Sequence, residues 1–323
     1  MTSKTQGILG IHHVTAMSGD PQRNVDFYTG VLGLRLVQLT VNYDDPGTYH
    51  LYYGDGTGSP GTILTFFPWP DSPQGQNGAG MVTEIAFAAP AGAFDYWAKR
   101  LNVAAGEMLT RFGERAFTFA DPDGLRLAIV ESMSAAGVHA WEGSPIAPEH
   151  ALQGIHSVTL TEAQAAATVE HLASGMDLHK VSSEGNRTRL RVANGAGAGQ
   201  IVDVVEEERA GRGRISAGAV HHLAWRVADD AAQVDWQNRL LEEGRQVSPV
   251  MDRTYFHSIY WREPGGVLFE IATDPPGFGV DEPLESLGEK LILPQWLEPM
   301  RNELQRRLPK IDLPVSIAKG ERS

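Results

Sequence analysis

Residues 219–225 have the sequence AVHHLAW, and residues 263–271 have the sequence EPGGVLFEI. Both segments are short, apolar and partly β-branched, and each follows a turn signal, so each predicts a β-strand. The first strand carries His222 and the last carries Glu270. Because a curved sheet can bring its strand ends together, this imidazole and this carboxylate form a candidate metal-binding pair.

The chain between these segments predicts a helix and two further strands. Residues 231–243 have apolar residues at helical spacing, with Val234, Leu240 and Leu241 on one side and charged residues on the other. Residues 255–262 have the composition of a strand pair. The whole stretch therefore predicts a βαβββ unit.

Three further copies of this unit precede it. They begin with similar strand sequences, which are GIHHVT at 10–15, VTEIAF at 82–87 and GIHSVT at 154–159. The copies follow one another at intervals of roughly 65 to 75 residues, and a repeat of this length defines the architecture. One unit is too small to bury its own sheet face, so two must pack together. The sequence predicts an α+β protein of four βαβββ modules in two domains.

Composition shifts divide the chain into segments. The first pair of modules covers residues 8–132, and the second pair covers residues 153–274. Residues 133–152 are rich in Ala, Gly, Ser and Pro, as in an inter-domain linker. Residues 275–323 form a C-terminal tail without a strand pattern. The tail predicts a helix at 293–308, with a packing stripe of Trp296, Leu297, Met300, Leu304 and Leu308.

Composition and charge argue against several classes of function. The 323 residues include 27 basic and 40 acidic side chains, and the formal net charge of −13 argues against nucleic-acid partners and anionic membrane surfaces. No apolar run approaches the ~20 residues of a membrane helix, and the N-terminus has no apolar signal region. The chain has no Cys, which excludes disulfides, thiolate metal ligands and a cysteine nucleophile. These features predict a cytoplasmic protein and leave a homo-oligomer open.

The repeat allows each module to be checked for metal ligands at two positions. The first-strand position holds, in module order, His13, Glu84, Ser157 and His222. The last-strand position holds, in the same order, Phe66, Ala128, Asp203 and Glu270. One complete set emerges, and it consists of His13, His222 and Glu270.

These three residues predict a metal site between modules one and four. A lone histidine in a strand is more often a core residue, but here two histidines share one repeat position and a Glu ends an apolar strand. Glu is rarely buried without a partner, so the ligand interpretation is favoured. Two imidazoles and one carboxylate form the facial triad of non-haem Fe(II), which leaves positions open for substrate and O₂. We expect one Fe(II), or alternatively Mn(II), per chain.

Several motifs resemble the vicinal-oxygen-chelate superfamily, which includes glyoxalase I, bleomycin- and fosfomycin-resistance proteins and extradiol dioxygenases. The general signature is FYTGVLGLRLV at 27–37. More narrowly, the chain resembles the bacterial hydroquinone ring-cleaving dioxygenases of the chlorohydroquinone 1,2-dioxygenase type. The matching segments are LGIHHVT at 9–15, YHLYY at 49–53, SPGT at 59–62, EGNR at 184–187, HH at 221–222, PGGVLFE at 264–270 and SLG at 286–288.

This resemblance implies a fold, a reaction and a pocket. It implies two domains with cupped mixed sheets, and Fe(II)-dependent opening of hydroquinone-type rings, including substituted or chlorinated ones, by O₂. The partners would be a small aromatic substrate and O₂, and the iron ligands fall on the same three residues. By the same resemblance, the pocket residues are His12, Thr15, His221, Arg253 and Tyr260. His257 stands where the type enzyme has an acid, which bears on the substrate.

The implied pocket residues have different roles. A fixed guanidinium at Arg253 suits developing negative charge, and Tyr260 could hydrogen-bond the metal-bound oxygen or O₂. His12 and His221 adjoin the ligands and are either acid–base groups or strand neighbours packed on the other sheet face. The remaining histidines considered are expected to be structural or exposed, and these are His50, His156, His179 and His257.

Three alternatives share the fold. A glyoxalase-like isomerase or thiol transferase usually takes a fourth protein ligand, and Phe66 stands where module one would supply it. An antibiotic-binding protein without enzymatic activity lacks metal ligands, so a complete triad counts against it. A catechol extradiol dioxygenase usually takes its ligands from modules three and four, which Ser157 disfavours.

Overall fold

The computed structural model of the chain describes residues 7–103, 108–132, 137–193 and 195–313. It confirms four βαβββ modules. Module one comprises β1 (Gly10–Ser18), α1 (Pro21–Val25) with a π-helical extension (Asp26–Val31), β2 (Arg35–Asn42), β3 (Asp45–Gly54) and β4 (Ile63–Pro68). Module two comprises β5 (Met81–Pro90), α2 (Phe94–Arg100), β6 (Met108–Arg111), β7 (Glu114–Ala120) and β8 (Arg126–Ser132).

The second half of the chain repeats this order. Module three comprises β9 (Ile155–Glu162), α3 (Ala166–Glu170) with a π-helical extension (His171–Gly175), β10 (Leu178–Glu184), β11 (Arg187–Val192) and β12 (Ile201–Glu206). Module four comprises β13 (Ala219–Val227), α4 (Asp230–Glu242), β14 (Met251–Asp252), β15 (Phe256–Arg262) and β16 (Leu268–Pro276). The other helical segments among the described residues are Pro148–His150, Phe278–Val280, Leu284–Ser286, Glu298–Met300 and α5 (Arg301–Arg307).

The strands form two curled mixed sheets of eight strands each. The first sheet has the order β14-β15-β16-β13-β1-β4-β3-β2, and the second has the order β10-β11-β12-β9-β5-β8-β7-β6. In each sheet the first strands of two modules meet as an antiparallel pair, β1 with β13 and β5 with β9. Modules one and four therefore share one sheet, and modules two and three share the other.

This pairing bears on the predicted domain boundaries. Residues 8–132 supply modules one and two, and residues 153–274 supply modules three and four, so each segment contributes one module to both sheets. The division of the chain into these segments, with a linker at 133–152 and a tail at 275–323, stays a prediction. Size explains why the modules pair at all, because one module is too small to bury its own sheet face.

The helix of module four packs on β15 and β16, and only part of the predicted apolar side is buried. Asp229 caps α4 by accepting a hydrogen bond from the Ala232 N–H. The helix buries Trp236 and Leu240, whereas Val234 is 44% and Leu241 50% exposed. The prediction was therefore correct for Leu240 and wrong for Val234 and Leu241, because the packed side is the one that carries the large Trp236 ring.

The C-terminal tail lies along module one. Arg35 fixes it, since its guanidinium donates hydrogen bonds to the carbonyls of Leu284 at 2.8 Å and Glu285 at 3.0 Å. The helix predicted at 293–308 is wrong in length, because regular α-helix is confined to α5. Pro299 lies in the turn before α5 and has no N–H for a longer helix.

The predicted packing stripe of the tail is only partly correct. Leu297, Leu304 and Leu308 are buried, whereas Trp296 is 56% and Met300 40% exposed. The shortened helix explains the difference, since residues 293–308 do not share one continuous helical face. None of the helices in the described part of the chain is long and apolar enough to cross a membrane.

Candidate metal centre

Three side chains from three neighbouring strands converge at the centre of the first sheet. His13 lies on β1, His222 on β13 and Glu270 on β16, and their potential ligand atoms all lie within 4.8 Å of one another. The His222 Nε2 atom is 2.9 Å from Glu270 Oε2, and the His13 Nε2 atom is 3.4 Å from the same oxygen. Both histidines are buried and Glu270 is fully buried. The sheet order therefore brings modules one and four together, as the sequence predicted.

The chemistry of this group fits a divalent metal ion. Glu270 Oε1 accepts a hydrogen bond from the Ser258 hydroxyl at 2.5 Å, but the buried Oε2 has no hydrogen-bond partner of acceptable geometry. Burial by itself raises the pKa of Glu270, but the imidazoles of His13 and His222 outweigh it and lower the pKa well below its usual range. An anionic carboxylate oxygen faced by two imidazole nitrogens is a set of donors suited to Fe(II), Mn(II) or Zn(II).

Each ligand histidine is paired with the histidine before it. The Nδ1 atoms of His12 and His13 lie 2.9 Å apart, and those of His221 and His222 lie 2.8 Å apart. Burial lowers the pKa of His12, and it lowers that of His221 to about 3. Both outer imidazoles are therefore neutral, and each can accept a hydrogen bond from the Nδ1–H of the histidine that follows it, which leaves the Nε2 atoms of His13 and His222 for a metal.

The strand register corrects one repeat position. Ala224, two residues after His222, pairs with Glu270 in the parallel β13–β16 ladder. In module one, Thr15 follows His13 by two residues and pairs with Thr65 in the β1–β4 ladder. Thr65 is thus the counterpart of Glu270, and the prediction of Phe66 was wrong by one residue.

Phe66 lies on the other face of its strand. It pairs with Ala16 and packs its fully buried ring against Tyr28 and Tyr53. A shift of one residue along a strand moves a side chain to the opposite face of the sheet. The prediction that module one supplies no carboxylate is unaffected, because Thr65 supplies none either.

A cavity of about 320 Å³ opens beside the ligand group. Its wall combines aromatic rings with a few polar groups. The lining residues beyond the ligands include His50, Tyr52, Phe67, Trp69, Arg253 and Tyr260. His221 also lines the cavity. A partly apolar cavity with a few convergent polar groups is the common form of a small-molecule site.

Arg253 and Tyr260 form a linked pair on the module-four side of the cavity. Arg253 Nε donates to the Tyr260 hydroxyl at 3.3 Å, and Nη2 donates to Asp44 Oδ2 at 3.2 Å. Burial raises the pKa of Tyr260, and Glu270 adds to this effect. Tyr260 therefore remains a neutral phenol that can donate a hydrogen bond. Asp44 comes from the β2–β3 turn, so the tips of two hairpins meet at the mouth of the cavity.

Sequence spacing offered no reason to place His50 and Tyr52 in the site, yet both line the cavity. Tyr52 pairs with Thr65 as Tyr260 pairs with Glu270, so the two tyrosines are counterparts in the repeat. His50 Nε2 lies 2.9 Å from Thr65 Oγ1. The expectation that His50 is structural or exposed did not include a place in the cavity wall. A repeat alignment of the middle strands would have found it, because Tyr52 and Tyr260 are two identical residues in register.

The remaining predicted residues are dispersed. Thr15 is fully buried beneath the site, 2.8 Å from Thr65 between the two hydroxyl oxygens. His257 points away from the cavity, with Nδ1 2.6 Å from Asp230 Oδ1. His179 is exposed on β10.

The second sheet holds ion pairs at the equivalent positions. Glu84 pairs with Arg111 and Arg126, and Asp203 pairs with Arg187 and Arg189. His156 contacts Glu114, with Nε2 3.1 Å from Oε1. Glu84 and Asp203 are thus neutralised by ion pairs with guanidinium groups. Among the described residues, only the first sheet brings together a group of side chains suited to a metal.

Comparison with known proteins shows which family and which relatives this chain resembles. The family model described as "Glyoxalase/Bleomycin resistance protein/Dioxygenase superfamily" matches residues 10–129 and 154–271. "Putative ring-cleaving dioxygenase MhqO" of Bacillus subtilis is 47% identical over 313 residues, which cover 95% of this chain and 97% of that protein. "Chlorohydroquinone/hydroquinone 1,2-dioxygenase" of Sphingobium indicum is 35% identical over 319 residues, which cover 95% of this chain and 98% of that protein.

A solved structure resembles the chain over nearly its whole length. The crystal structure of a "putative dioxygenase" from Bacillus subtilis superimposes with a TM-score of 0.90 and is 46% identical. The match covers 96% of this chain and 99% of the other. Both curled sheets and the tail are therefore shared features.

Proposed function

This chain belongs to the glyoxalase/bleomycin-resistance/dioxygenase superfamily, and on that premise we propose that it is an Fe(II)-dependent dioxygenase that opens hydroquinone-type rings with O₂. The names of its relatives, among them a hydroquinone 1,2-dioxygenase, support the reaction class. The iron ligands are His13, His222 and Glu270. The observation that carries the proposal is the buried Glu270 oxygen, which faces two imidazole nitrogens beside an open cavity.

An Fe(II) ion held by His13, His222 and Glu270 would supply Lewis-acid and redox chemistry for the reaction of the phenol with O₂. The protein orients the ring and limits the access of water. Phe67, Trp69 and Phe256 offer aromatic surface for a flat substrate. Phe256 also packs on the His13 ring, with centroids 5.0 Å apart, so one side chain supports both substrate and ligand.

Arg253 and Tyr260 act on the polar side of the substrate. The guanidinium is always charged and is held by Asp44 and Tyr260, so it presents a fixed positive charge to oxygen atoms that become negative during the reaction. Tyr260 is a neutral phenol and can donate a hydrogen bond to an oxygen atom of the substrate. His221 lines the cavity as a neutral imidazole and orients His222. His12 has the same orienting role toward His13.

An oxygen-uptake assay tests the proposal. Metal-free protein is loaded anaerobically with Fe(II) or Mn(II) and mixed with O₂ and either hydroquinone or catechol. We expect O₂ consumption with hydroquinone in the Fe(II)-loaded protein and none in Glu270→Gln. The matched control is His257→Ala, since His257 lies on β15, the strand of Tyr260, but its side chain contacts Asp230 outside the cavity.

The same preparation separates the alternatives. Oxygen uptake with catechol but not with hydroquinone would identify a catechol extradiol enzyme. Conversion of a glutathione hemithioacetal without O₂ would identify a glyoxalase-like isomerase. The second outcome is disfavoured because Thr65 provides no fourth carboxylate ligand on the module-one side.

A further inference from the structure

The two carboxylate oxygens of Glu270 have different surroundings. Oε1 accepts a hydrogen bond from the Ser258 hydroxyl at 2.5 Å, whereas Oε2 lies 2.9 Å from His222 Nε2 and 3.4 Å from His13 Nε2. Ser258 and Glu270 are both fully buried. Among the described residues, Oε2 has no hydrogen-bond partner of acceptable geometry. One oxygen is therefore committed to a protein donor, and the other faces the imidazoles.

The order of the strands produces this division. β16 lies between β15, which carries Ser258, and β13, which carries His222, and β1 with His13 follows β13. Ser258 pairs with Ala272, two residues after Glu270, so the serine and the glutamate share one face of the sheet. The carboxylate is thus held from the β15 side and presents its second oxygen to the β13 side.

Module three shows the same positions with a carboxylate that is paired on both oxygens. Asp203 holds the ladder position of Glu270. Arg187 stands where module four has Ser258. Arg189 Nε donates to Asp203 Oδ1 at 2.8 Å, and Arg187 Nη1 donates to Oδ2 at 3.1 Å. Asp203 therefore has no oxygen left for a metal, whereas the single donor in module four leaves Glu270 with one.

On the basis of the proposed function, we propose that Ser258 is a positioning residue that keeps Glu270 a one-oxygen metal ligand. The serine hydroxyl holds Oε1 on the β15 side, so that only Oε2 coordinates the ion. Without this donor, Oε1 would be a buried charged oxygen with no partner, and turning it to the metal relieves that cost. A carboxylate that binds with both oxygens fills a position that is otherwise open to water, substrate or O₂.

The test is the number of exchangeable water molecules on bound Mn(II), measured by water-proton relaxation in the full-length protein without substrate. Mn(II) is titrated to saturation, so that every ion counted is bound to protein. Ser258→Ala should retain one water fewer than the wild type, because the second oxygen of Glu270 takes its place. Circular dichroism of the metal-free protein checks that the variant is folded.

Three further variants sharpen the measurement. Ser258→Cys keeps the volume but is a weak donor, so it should also lose one water. Ser258→Thr keeps the hydroxyl and should retain the water count of the wild type. Ser157→Ala is the matched control and should retain that count as well, because Ser157 is a buried serine on the second sheet that contacts His156.

The outcomes distinguish the role of Ser258 from the proposed function. Equal water counts in the wild type and both Ser258→Ala and Ser258→Cys overturn the positioning role. A folded Ser258→Ala that binds no Mn(II) also overturns it, because Glu270 should remain a ligand. Loss of one water in the variants of a protein that opens no ring supports the positioning role and overturns the dioxygenase assignment. Failure of the wild type to bind Mn(II) or Fe(II) overturns both.

Discussion

The rings of His13 and His222 lie 5.6 Å apart between centroids, although the two residues come from the first and the last module of the chain. They meet because β1 and β13 pair as antiparallel neighbours at the centre of the first sheet. Neither terminal module alone contains both imidazoles. A metal site here therefore requires that modules one and four pair with each other.

The three ligand substitutions should abolish metal binding. Each of His13→Ala, His222→Ala and Glu270→Ala removes one of three donors, so the stoichiometry of Fe(II) or Mn(II) measured by elemental analysis should fall well below one per chain. His179→Ala serves as a control for a histidine on the other sheet. Full metal content in any one ligand variant would remove that residue from the site.

Restoring a carboxylate in module one should block the substrate side. Thr65 is the counterpart of Glu270, so Thr65→Glu places a fourth donor toward the metal. We expect metal content to be retained and turnover of hydroquinone to fall by at least ~10²-fold, because the position for the phenolic oxygen is filled. Thr65→Gln, similar in size but uncharged, is the comparison. Wild-type turnover in Thr65→Glu would show that Thr65 does not face the open coordination side.

Arg253 and Tyr260 should matter for turnover rather than for metal content. Loss of one preorganised electrostatic donor costs ~10²–10³ in rate in well-studied enzymes, so Arg253→Ala and Tyr260→Phe should lower kcat while iron is retained. Arg253→Lys keeps the charge but loses the planar fork and should be only partly active. An effect confined to KM would mean that Arg253 only anchors the substrate. Normal kcat and KM in all three would place both side chains outside the working pocket.

Glu162 should make the protein less stable as the pH rises. Burial, followed by the charge of Glu263, raises the pKa of Glu162 from 4.5 to about 7. Between these two values the folded state holds a proton that the unfolded state has released, so the free energy of unfolding falls as pH rises through this window. Glu162→Gln should remove that dependence. Urea unfolding at pH 5 and pH 8 measures it.

The control for this prediction is Glu208→Gln, because Glu208 is exposed. It should leave the pH dependence of the wild type in place. An identical pH dependence in the wild type and Glu162→Gln would show that the buried carboxyl does not titrate differently in the folded and unfolded states.

The repeat made the convergence of His13, His222 and Glu270 predictable, because the two histidines occupy the same position in two copies and Glu270 ends the strand next to the second. The pairing of modules one and four was also expected from the ligands. The register of module one was not predictable, because choosing Thr65 or Phe66 depends on the parallel ladder with β1, and a shift of one residue reverses the face.

Other features depended on packing that local sequence does not specify. His50 enters the cavity because β3 lies beside β4 in the curled sheet, a contact without a spacing signal of its own. The packed side of α4 was predicted correctly for Leu240 but not for Val234 and Leu241, because Trp236 decides which side is buried. These differences arise where tertiary contacts override local pattern.

The central claim is that this chain opens a hydroquinone ring with both atoms of O₂ at a metal held by His13, His222 and Glu270. The most direct measurement is turnover of hydroquinone by the Fe(II)-loaded protein under heavy-isotope O₂, with the product reduced at once by borohydride to prevent exchange with water. We predict a ring-opened product that carries two heavy oxygen atoms, and none from Glu270→Gln. An intact ring, or a product whose new oxygen comes from water, would contradict the account.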